Sequence, residues 1–173
     1  EQWAQDMWLF SYFANGMNVK DIAFLKYGNI NKETLYYIRS KTKNSTKENI
    51  ITIEVSIDED IKRIIKKWGN KPTMPQNFIF DILHPKDLSD LQIYRDISQA
   101  VKYINKYMKR IAENLELERA PTTNFARHSF STILKRSGVP IEMISEQLGH
   151  TSIKTTEIYL GSFENDQKRK ITK

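Results

Sequence analysis

Residues 125–160 hold the side chains of this chain that are best suited to chemistry on a phosphate. The segment FARHSFSTILKRSGVPIEMISEQLGHTSIKTTEIYL carries a pair at Arg127 and His128, a further histidine at His150 and a tyrosine at Tyr159. A guanidinium fork matches two phosphate oxygens and stays charged. A phenol is a weak nucleophile until its proton is removed or its negative charge is stabilised. Each residue also has a structural alternative: a surface salt bridge for the arginine, ordinary packing for the histidine and the tyrosine.

Other kinds of chemistry find little support in the residues. The three histidines (His84, His128 and His150) are scattered, and no carboxylate cluster has the spacing of metal ligands, so we expect neither a metal nor a cofactor. The glycine motifs that bind nucleotides are absent. The lack of cysteine excludes disulfides and a cysteine nucleophile, and it favours a reducing compartment. No signal peptide or bilayer-spanning apolar run is present.

Length and charge set broad limits. A chain of 173 residues fits one domain, and a hydrophobic fraction of 39% is enough for a core. The net charge of +6 suits a polyanionic partner without proving one. The chain begins at Glu1 rather than at a methionine, so we expect a fragment of a longer protein.

The apolar spacing predicts an α+β domain that is mainly helical, with a small antiparallel β-sheet near the N-terminal third. Helices are expected over 2–14, from a cap at Asn18, and over 58–68, 90–115, 123–137 and 140–148, with a last helix that contains Tyr159. Segments 34–40 and 50–56 are rich in β-branched and aromatic residues, and the basic stretch KTKNSTKEN between them predicts the tip of a hairpin. Residues 29–33 predict a polar turn, and 164–173 a loose polar tail.

The longest predicted helix has an apolar stripe whose steps alternate between four and three residues, as in an amphipathic helix. Two and a half heptads are too few to favour a coiled coil. The stripe consists of Ile97, Val101, Ile104, Met108, Ile111 and Leu115.

Residues 125–160 resemble the C-terminal motif block of the tyrosine recombinases, also called phage-type integrases. The matching features are the Arg127–His128 pair, the sequence Leu-Gly-His at 148–150, the threonines at 155–156 and Tyr159. Two weaker matches lie upstream. NGMNVKDIAFLKYGNI at 15–30 resembles the first motif of that family, and RSKTK at 39–43 resembles its β-hairpin lysine motif. The resemblance thus covers nearly the whole chain.

This resemblance implies an enzyme that cleaves and rejoins DNA strands without metal or ATP. Tyr159 would attack the backbone, form a 3′-phosphotyrosyl link and release a 5′-hydroxyl. Arg127 would hold the scissile phosphate, His150 would donate a hydrogen bond to it, and Lys41 would protonate the leaving 5′-oxygen. Further lysines of the hairpin tip are rivals for this role and candidates for DNA contact; they are Lys43 and Lys47. The family often has a histidine at the place of His128, where it packs behind the site.

Two positions depart from the family pattern. The family usually has arginine at the place of Asn18 and histidine at the place of Asn124. Asparagine donates hydrogen bonds but carries no charge and relays no proton. Asn18 is also expected to cap a helix. The missing positive charge could come from Arg39, which regular strand alternation would place on the same face as Lys41.

The resemblance also implies partners and surroundings. These are double-stranded DNA, a homotetramer on two duplexes, an accessory DNA-bending protein and the bacterial cytoplasm, without a membrane. The family's preceding DNA-clamping domain is expected to be missing from this fragment. One alternative is a helix-turn-helix module, which Glu142 and Glu146 on its second helix disfavour because they would repel phosphate. Another is a degenerate recombinase that binds DNA without cutting it.

Overall fold

The structure, a computed structural model, describes residues 1–43, 51–85 and 88–161. Its helices are α1 (Gln2–Phe13), α2 (Val19–Phe24), α3 (Ser40–Lys43), α4 (Glu59–Trp68), α5 (Asp90–Asn114), α6 (Thr123–Arg136), α7 (Ile141–Gln147) and α8 (153–161). Its strands are β1 (Ile30–Asn31), β2 (Thr34–Ile38) and β3 (Thr52–Ser56). The predicted fold class, mainly helical with a small antiparallel sheet, is confirmed.

The three strands form one antiparallel sheet in the order β1-β2-β3. Leu35 lies opposite Val55, and Tyr37 lies opposite Ile53, and these four side chains are buried on the same face. The alternation of buried and exposed residues along β2 and β3 is the pattern that β-branched and aromatic sequences predict. The polar turn predicted for 29–33 was partly wrong, because residues 30–31 pair with the start of β2 as a third, short strand.

The main core lies between α1, α4, α5 and the sheet. Phe10 of α1 meets Phe80 edge to face, with ring centroids 4.9 Å apart. Ile61 and Ile64 of α4 are fully buried, and the Asp58 carboxylate caps this helix by accepting a hydrogen bond from the backbone N–H of Ile61. No helix in the three described ranges combines the length and the apolar character needed to cross a bilayer.

Helix α5 carries the predicted apolar stripe, with one correction. Ile104 and Met108 are buried, but Leu115 is 64% exposed. The helix ends at Asn114 with Leu115 as its C-cap, so the buried part of the stripe stops before this position.

Helices α6, α7 and α8 pack around a smaller apolar cluster whose buried members are Ile144, Leu148 and Leu160. The chain turns between α6 and α7 at Gly138, which has φ of +77°. Glycine suits this left-handed conformation because it has no Cβ. This C-terminal part is joined to the rest because α6 packs against α1 and α7 packs against β3.

Candidate active site

A single open pocket of about 530 Å³ lies where α6 and α8 meet the end of β2. Four separate stretches of chain supply its walls: the start of α2, the residues after β2, the start of α6, and the segment from 150 to 159. The described lining residues are Asn18, Arg39, Lys41, Asn124, Arg127, His128, His150, Thr151, Thr155 and Tyr159. The fold therefore brings together all the described residues to which the sequence assigned catalytic or supporting roles.

The Arg127 side chain is only 5% exposed and is held on several sides. Its Nη1 donates to the carbonyl oxygen of Gly16 at 3.1 Å, and its Nη2 donates to the carbonyl oxygen of Leu148 and lies 3.3 Å from Nε2 of His150. Within the described part of the chain, these contacts use three of the five guanidinium N–H groups. These fixed partners set the direction in which the fork points, and Arg127 lines the pocket.

Gly16 leaves the space that Arg127 occupies. A Cβ at this position would lie 2.7 Å from the Cα of Arg127, and the glycine has φ of +67°. Both the space and the backbone conformation require a residue without a side chain. The sequence does not indicate this contact, whereas the structure shows Gly16 pressed against α6.

Positive charge dominates this pocket. Burial, and then the neighbouring charge of Arg39, lower the pKa of Arg127 to about 10. None of the ten described residues that line the pocket is acidic. Crowded cations repel one another, so the arrangement favours a ligand that brings negative charge.

His150 lies at the back of the pocket and is 9% exposed. Its Nδ1 is 2.8 Å from the hydroxyl oxygen of Thr156, and its Nε2 faces Arg127. Burial, and then the charges of Arg127, Arg39 and Lys41, lower the pKa of His150 to about 4. The imidazole is therefore neutral near pH 7.

The Tyr159 ring is packed between two histidines. It stacks on His128 with centroids 4.8 Å apart and an interplanar angle of 24°, and it meets His150 edge to face at 5.9 Å. Burial raises the pKa of Tyr159 to about 12, while the charges of Arg127 and Arg39 act in the opposite direction. Near neutral pH the phenol keeps its proton, so it needs those cations to act as a nucleophile.

His128 thus forms part of the wall of the pocket, where it touches the Tyr159 ring. Burial, and then the positive charge of Arg127, lower the pKa of His128. Its neighbour Ser131 is fully buried, and the Ser131 hydroxyl contacts the backbone carbonyl oxygens of Arg127 and His128 at 3.1 and 3.0 Å. The serine thereby stiffens the turn of α6 that carries both pocket residues.

Arg39 and Lys41 reach the pocket by a different route from the one expected. The predicted strand 34–40 stops at Ile38, and Ser40 starts the one-turn helix α3, so strand alternation does not align the two side chains. The backbone N–H of Ser40 donates to the buried Asp21 carboxylate at 2.8 Å. This contact fixes the turn between Arg39 and Lys41, and both residues line the pocket.

The two asparagines lie on the same side of the pocket. Asn18 stands at the N-cap position of α2, as predicted, but its side chain makes no capping hydrogen bond there. The expectation that its amide caps the helix is therefore wrong. Asn124, in the first turn of α6, lines the pocket with Asn18 and also borders a neighbouring cavity of about 450 Å³.

Some predictions fall on residues for which no structural statement is made. The Lys43 side chain, Lys47 and the tail 164–173 lie outside the described residues. Among the residues that are described, no group of three or more His, Cys, Asp or Glu side chains is placed to hold a metal ion.

Three positions of structural importance were assigned no role in the site from the sequence: Asp21, Ser131 and Thr156. All three are buried polar residues. Thr156 had two signals, its place in the matched threonine pair at 155–156 and its spacing of three residues from Tyr159, which places both on one face of a helix. The partners of Asp21 and Ser131 could not be read from local spacing.

Comparison with known proteins gives this pocket a context. A sequence profile described as the phage integrase family matches residues 6–166. The tyrosine recombinase XerD of Halalkalibacterium halodurans is 28% identical over 149 residues, which is 85% of this chain and 46% of that protein. A tyrosine recombinase of Agathobacter rectalis is 29% identical over 160 residues, or 90% of this chain and 47% of that protein. The chain thus spans less than half the length of these relatives.

Solved structures show the same fold. The XerA recombinase superposes with a TM-score of 0.57 at 18% identity, covering 92% of this chain and 58% of that one. The Tn1549 transposon integrase, solved with a circular intermediate DNA, gives a TM-score of 0.60 at 14% identity, covering 95% of this chain and 57% of that one.

Proposed function

Because this chain belongs to the phage integrase family, we propose that it is the catalytic domain of a site-specific DNA recombinase. It cuts and rejoins DNA strands through a covalent 3′-phosphotyrosyl intermediate. The observation that carries the proposal is the acid-free pocket, in which Arg127 and Arg39 lie beside Tyr159. A phosphodiester fits there because its negative charge offsets the crowded cations.

The strand-cleavage step follows from these positions. The Tyr159 oxygen attacks phosphorus, its proton passes to water in the open pocket, and the bond from phosphorus to the 5′-oxygen breaks. The departing oxygen takes the bonding electron pair and receives a proton from Lys41. The phosphate ester conserves the bond energy, so the reverse attack by a 5′-hydroxyl rejoins the strand without ATP.

Two cations stabilise the negative charge of the phosphate. Arg127 directs its guanidinium to the non-bridging oxygens, where charge concentrates in the transition state. Arg39 supplies the second charge, in place of the arginine that the family usually has at position 18. Asn18 and Asn124 contribute neutral hydrogen bonds at the pocket rim. His150 lies beside the guanidinium of Arg127, and it donates a hydrogen bond to the phosphate and helps to orient the site.

The partner is double-stranded DNA. The structure of a related integrase with DNA supports this assignment, as does the net charge of +6. We further propose that the longer protein acts as a homotetramer on two duplexes, with Lys43 and Lys47 of the hairpin tip contacting the DNA backbone. An accessory DNA-bending protein completes this assembly.

The test is covalent trapping. The chain is incubated in excess EDTA with a pool of duplexes that have randomised centres and a nick that lets the cleaved end diffuse away. Sequencing the DNA that remains attached to denatured protein then reports the preferred site. We expect a covalent adduct that phosphodiesterase digestion reduces to a phosphotyrosine at residue 159. Sequence-selective binding without any adduct would support instead a recombinase that has lost cleavage, which is the alternative suggested by Asn18 and Asn124.

A further inference from the structure

A second cavity lies beside the active-site pocket. Its volume is about 450 Å³, and it shares Asn18, Lys41 and Asn124 with the pocket. Tyr159 and Arg127 line the pocket but not the cavity. Because the two spaces have a common edge, a DNA strand whose phosphate lies in the pocket has room to continue into the cavity.

Hydrogen bonds hold two walls of the cavity in place. The buried Asp21 carboxylate accepts the backbone N–H of Ser40, next to Lys41, at 2.8 Å. The side-chain oxygen of Asn105 accepts the backbone N–H of Thr123 at 2.8 Å and so joins α5 to the first turn of α6. A cavity with fixed walls loses little conformational entropy when a ligand binds.

The lining of the cavity suits a nucleotide. Lys20 and Lys41 line it, and both residues are exposed, so their ammonium groups meet a ligand that arrives from solvent. Ile97 and Val101 of α5 add apolar surface that is only partly buried. Asp21 is the single acidic residue in the described lining, and it is 5% exposed. Cations match a phosphate, and apolar surface matches a sugar and a base.

The proposed cleavage step determines which nucleotide faces the cavity. In phosphoryl transfer the attacking and leaving oxygens lie roughly in line, on opposite sides of phosphorus. Tyr159 attacks from the pocket, and Lys41, which protonates the leaving 5′-oxygen, lines both the pocket and the cavity. The leaving oxygen and its sugar therefore lie on the cavity side of the phosphate.

We propose that this leaving-strand cavity binds the nucleotide that departs with the 5′-hydroxyl, and that Lys20 binds the next phosphate of the same strand. Lys20 lines the cavity but not the pocket, so its partner is a phosphate other than the scissile one. After cleavage these contacts hold the 5′-hydroxyl end beside the phosphotyrosine. The inference rests on the proposed function, because the attack by Tyr159 defines the departing strand.

The first experiment maps the phosphate charges. Neutral methylphosphonate linkages replace single phosphates of the preferred duplex, and gel shift measures binding by a Tyr159→Phe protein that does not cleave. We expect the neutral linkage next to the scissile phosphate, on its 5′-hydroxyl side, to weaken binding about fivefold, the upper range for one exposed ion pair. In Lys20→Ala that penalty should vanish. The slope of log affinity against log salt should also fall in magnitude by about 0.9.

Two further variants serve as controls. Lys20→Arg keeps the charge and should keep the full penalty. Lys66→Ala removes the same charge from an exposed position of α4 that lines neither space, and it should also keep the penalty. These proteins separate a contact with one phosphate from the general attraction of a basic protein for DNA.

The second experiment measures religation. Preformed covalent adduct is mixed with an oligonucleotide that has a 5′-hydroxyl end, and the rate of rejoining is followed against its concentration. Lys20→Ala should raise the half-saturating concentration about fivefold and leave the maximum rate unchanged, because Lys20 binds the strand without touching the reacting atoms.

Three results would overturn the proposal. The neutral linkage on the 5′-hydroxyl side could leave binding unchanged, Lys20→Ala could keep the penalty, or Lys20→Ala could instead remove a penalty on the side joined to Tyr159. If the chain forms no adduct at all, the proposed function fails. Gel shift then still decides the phosphate contact: loss of the effect of one neutral linkage in Lys20→Ala supports it, and no such loss refutes it.

Discussion

The N-terminal body (residues 1–115) and the C-terminal motif segment (residues 123–161) are held together by different kinds of contact. The body is built on a large apolar core between α1, α4, α5 and the sheet. The motif segment has four buried apolar residues but also five buried polar ones: Arg127, Ser131, Ser145, His150 and Thr156. Apolar burial is non-directional, whereas hydrogen bonds fix orientation. Stability therefore resides mostly in the body, and precise geometry in the motif segment.

This difference predicts that the largest functional effect comes from a change that leaves packing intact. Tyr159→Phe removes one oxygen, and the ring still stacks on His128. We expect complete loss of the covalent adduct, with DNA binding and the unfolding midpoint close to those of the parent. Denaturing gels measure the adduct, and gel shift and thermal melting provide the controls. An adduct formed by the Phe variant would show that another residue is the nucleophile.

The next largest effect concerns charge on the phosphate. Removing a preorganised donor to the transition state costs about 10²–10³ in rate, and charged donors are the stronger ones. Arg39→Ala should therefore slow single-turnover cleavage by about that factor, close to the effect of Arg127→Ala. Arg39 is only partly buried, so its loss should hardly change stability.

Asn18 provides the matched comparison for Arg39. Because its side chain makes no cap bond, Asn18→Ala should cost little stability. If Arg39 supplies the missing charge, Asn18→Arg should give no gain in rate. A silent Arg39→Ala combined with a faster Asn18→Arg would mean that the second charge is absent from this site and that position 18 is where it belongs.

The third largest expected effect comes from core packing, and it concerns the stability of the protein rather than the rate of cleavage. Ile61 is fully buried in the body, so Ile61→Ala should lower the free energy of unfolding by about 2–5 kcal/mol. Ile158 in α8 is 65% exposed, and Ile158→Ala should change the free energy of unfolding by less than about 0.5 kcal/mol. Urea unfolding measures both. Equal losses at the two sites would contradict the contrast between body and motif segment.

The smallest expected effect is a pH dependence within the body. Nδ1 of His84 lies 3.0 Å from the buried Asp96 carboxylate. This interaction raises the pKa of His84 and lowers the pKa of Asp96. The contribution of His84 to stability is full below its unfolded pKa and is lost as pH rises through the raised folded pKa. The contribution of Asp96 to stability is full above its unfolded pKa and is lost as pH falls through the lowered folded pKa. The pair therefore stabilises fully between the unfolded pKa of Asp96 and the unfolded pKa of His84.

Thermal melting from pH 5 to 9 tests this pair. The parent should lose melting temperature relative to His84→Asn as the pH rises past the folded pKa of His84. The loss should be small, because the His84 side chain is 71% exposed. Parallel curves for the two proteins across this range would show that the ion pair contributes nothing measurable.

Much of the fold could be predicted from the sequence because the signals are local. Helical spacing of apolar residues located α1, α4, α5 and α6 within a few residues, and β-branched runs located β2 and β3. Predictions failed where pairing or a tertiary contact decided the outcome. Residues 30–31 became a strand by pairing with 34–35, just along the chain, and β2 ended early where Ser40 hydrogen-bonds to Asp21, which is distant in sequence.

The sequence by itself determined the chemical inventory: a phenol, two arginines and a lysine in recognisable motifs, on a mainly helical domain. Only the tertiary structure decided that Arg39 shares a pocket with Arg127, which lies 88 positions later in the chain (127 − 39). It also decided that Gly16 supports Arg127 and that Thr156 faces His150. The physical reason is range: propensity and periodicity act within a few residues, whereas these contacts exist only once the apolar core has packed α1 against α6 and the sheet against α7.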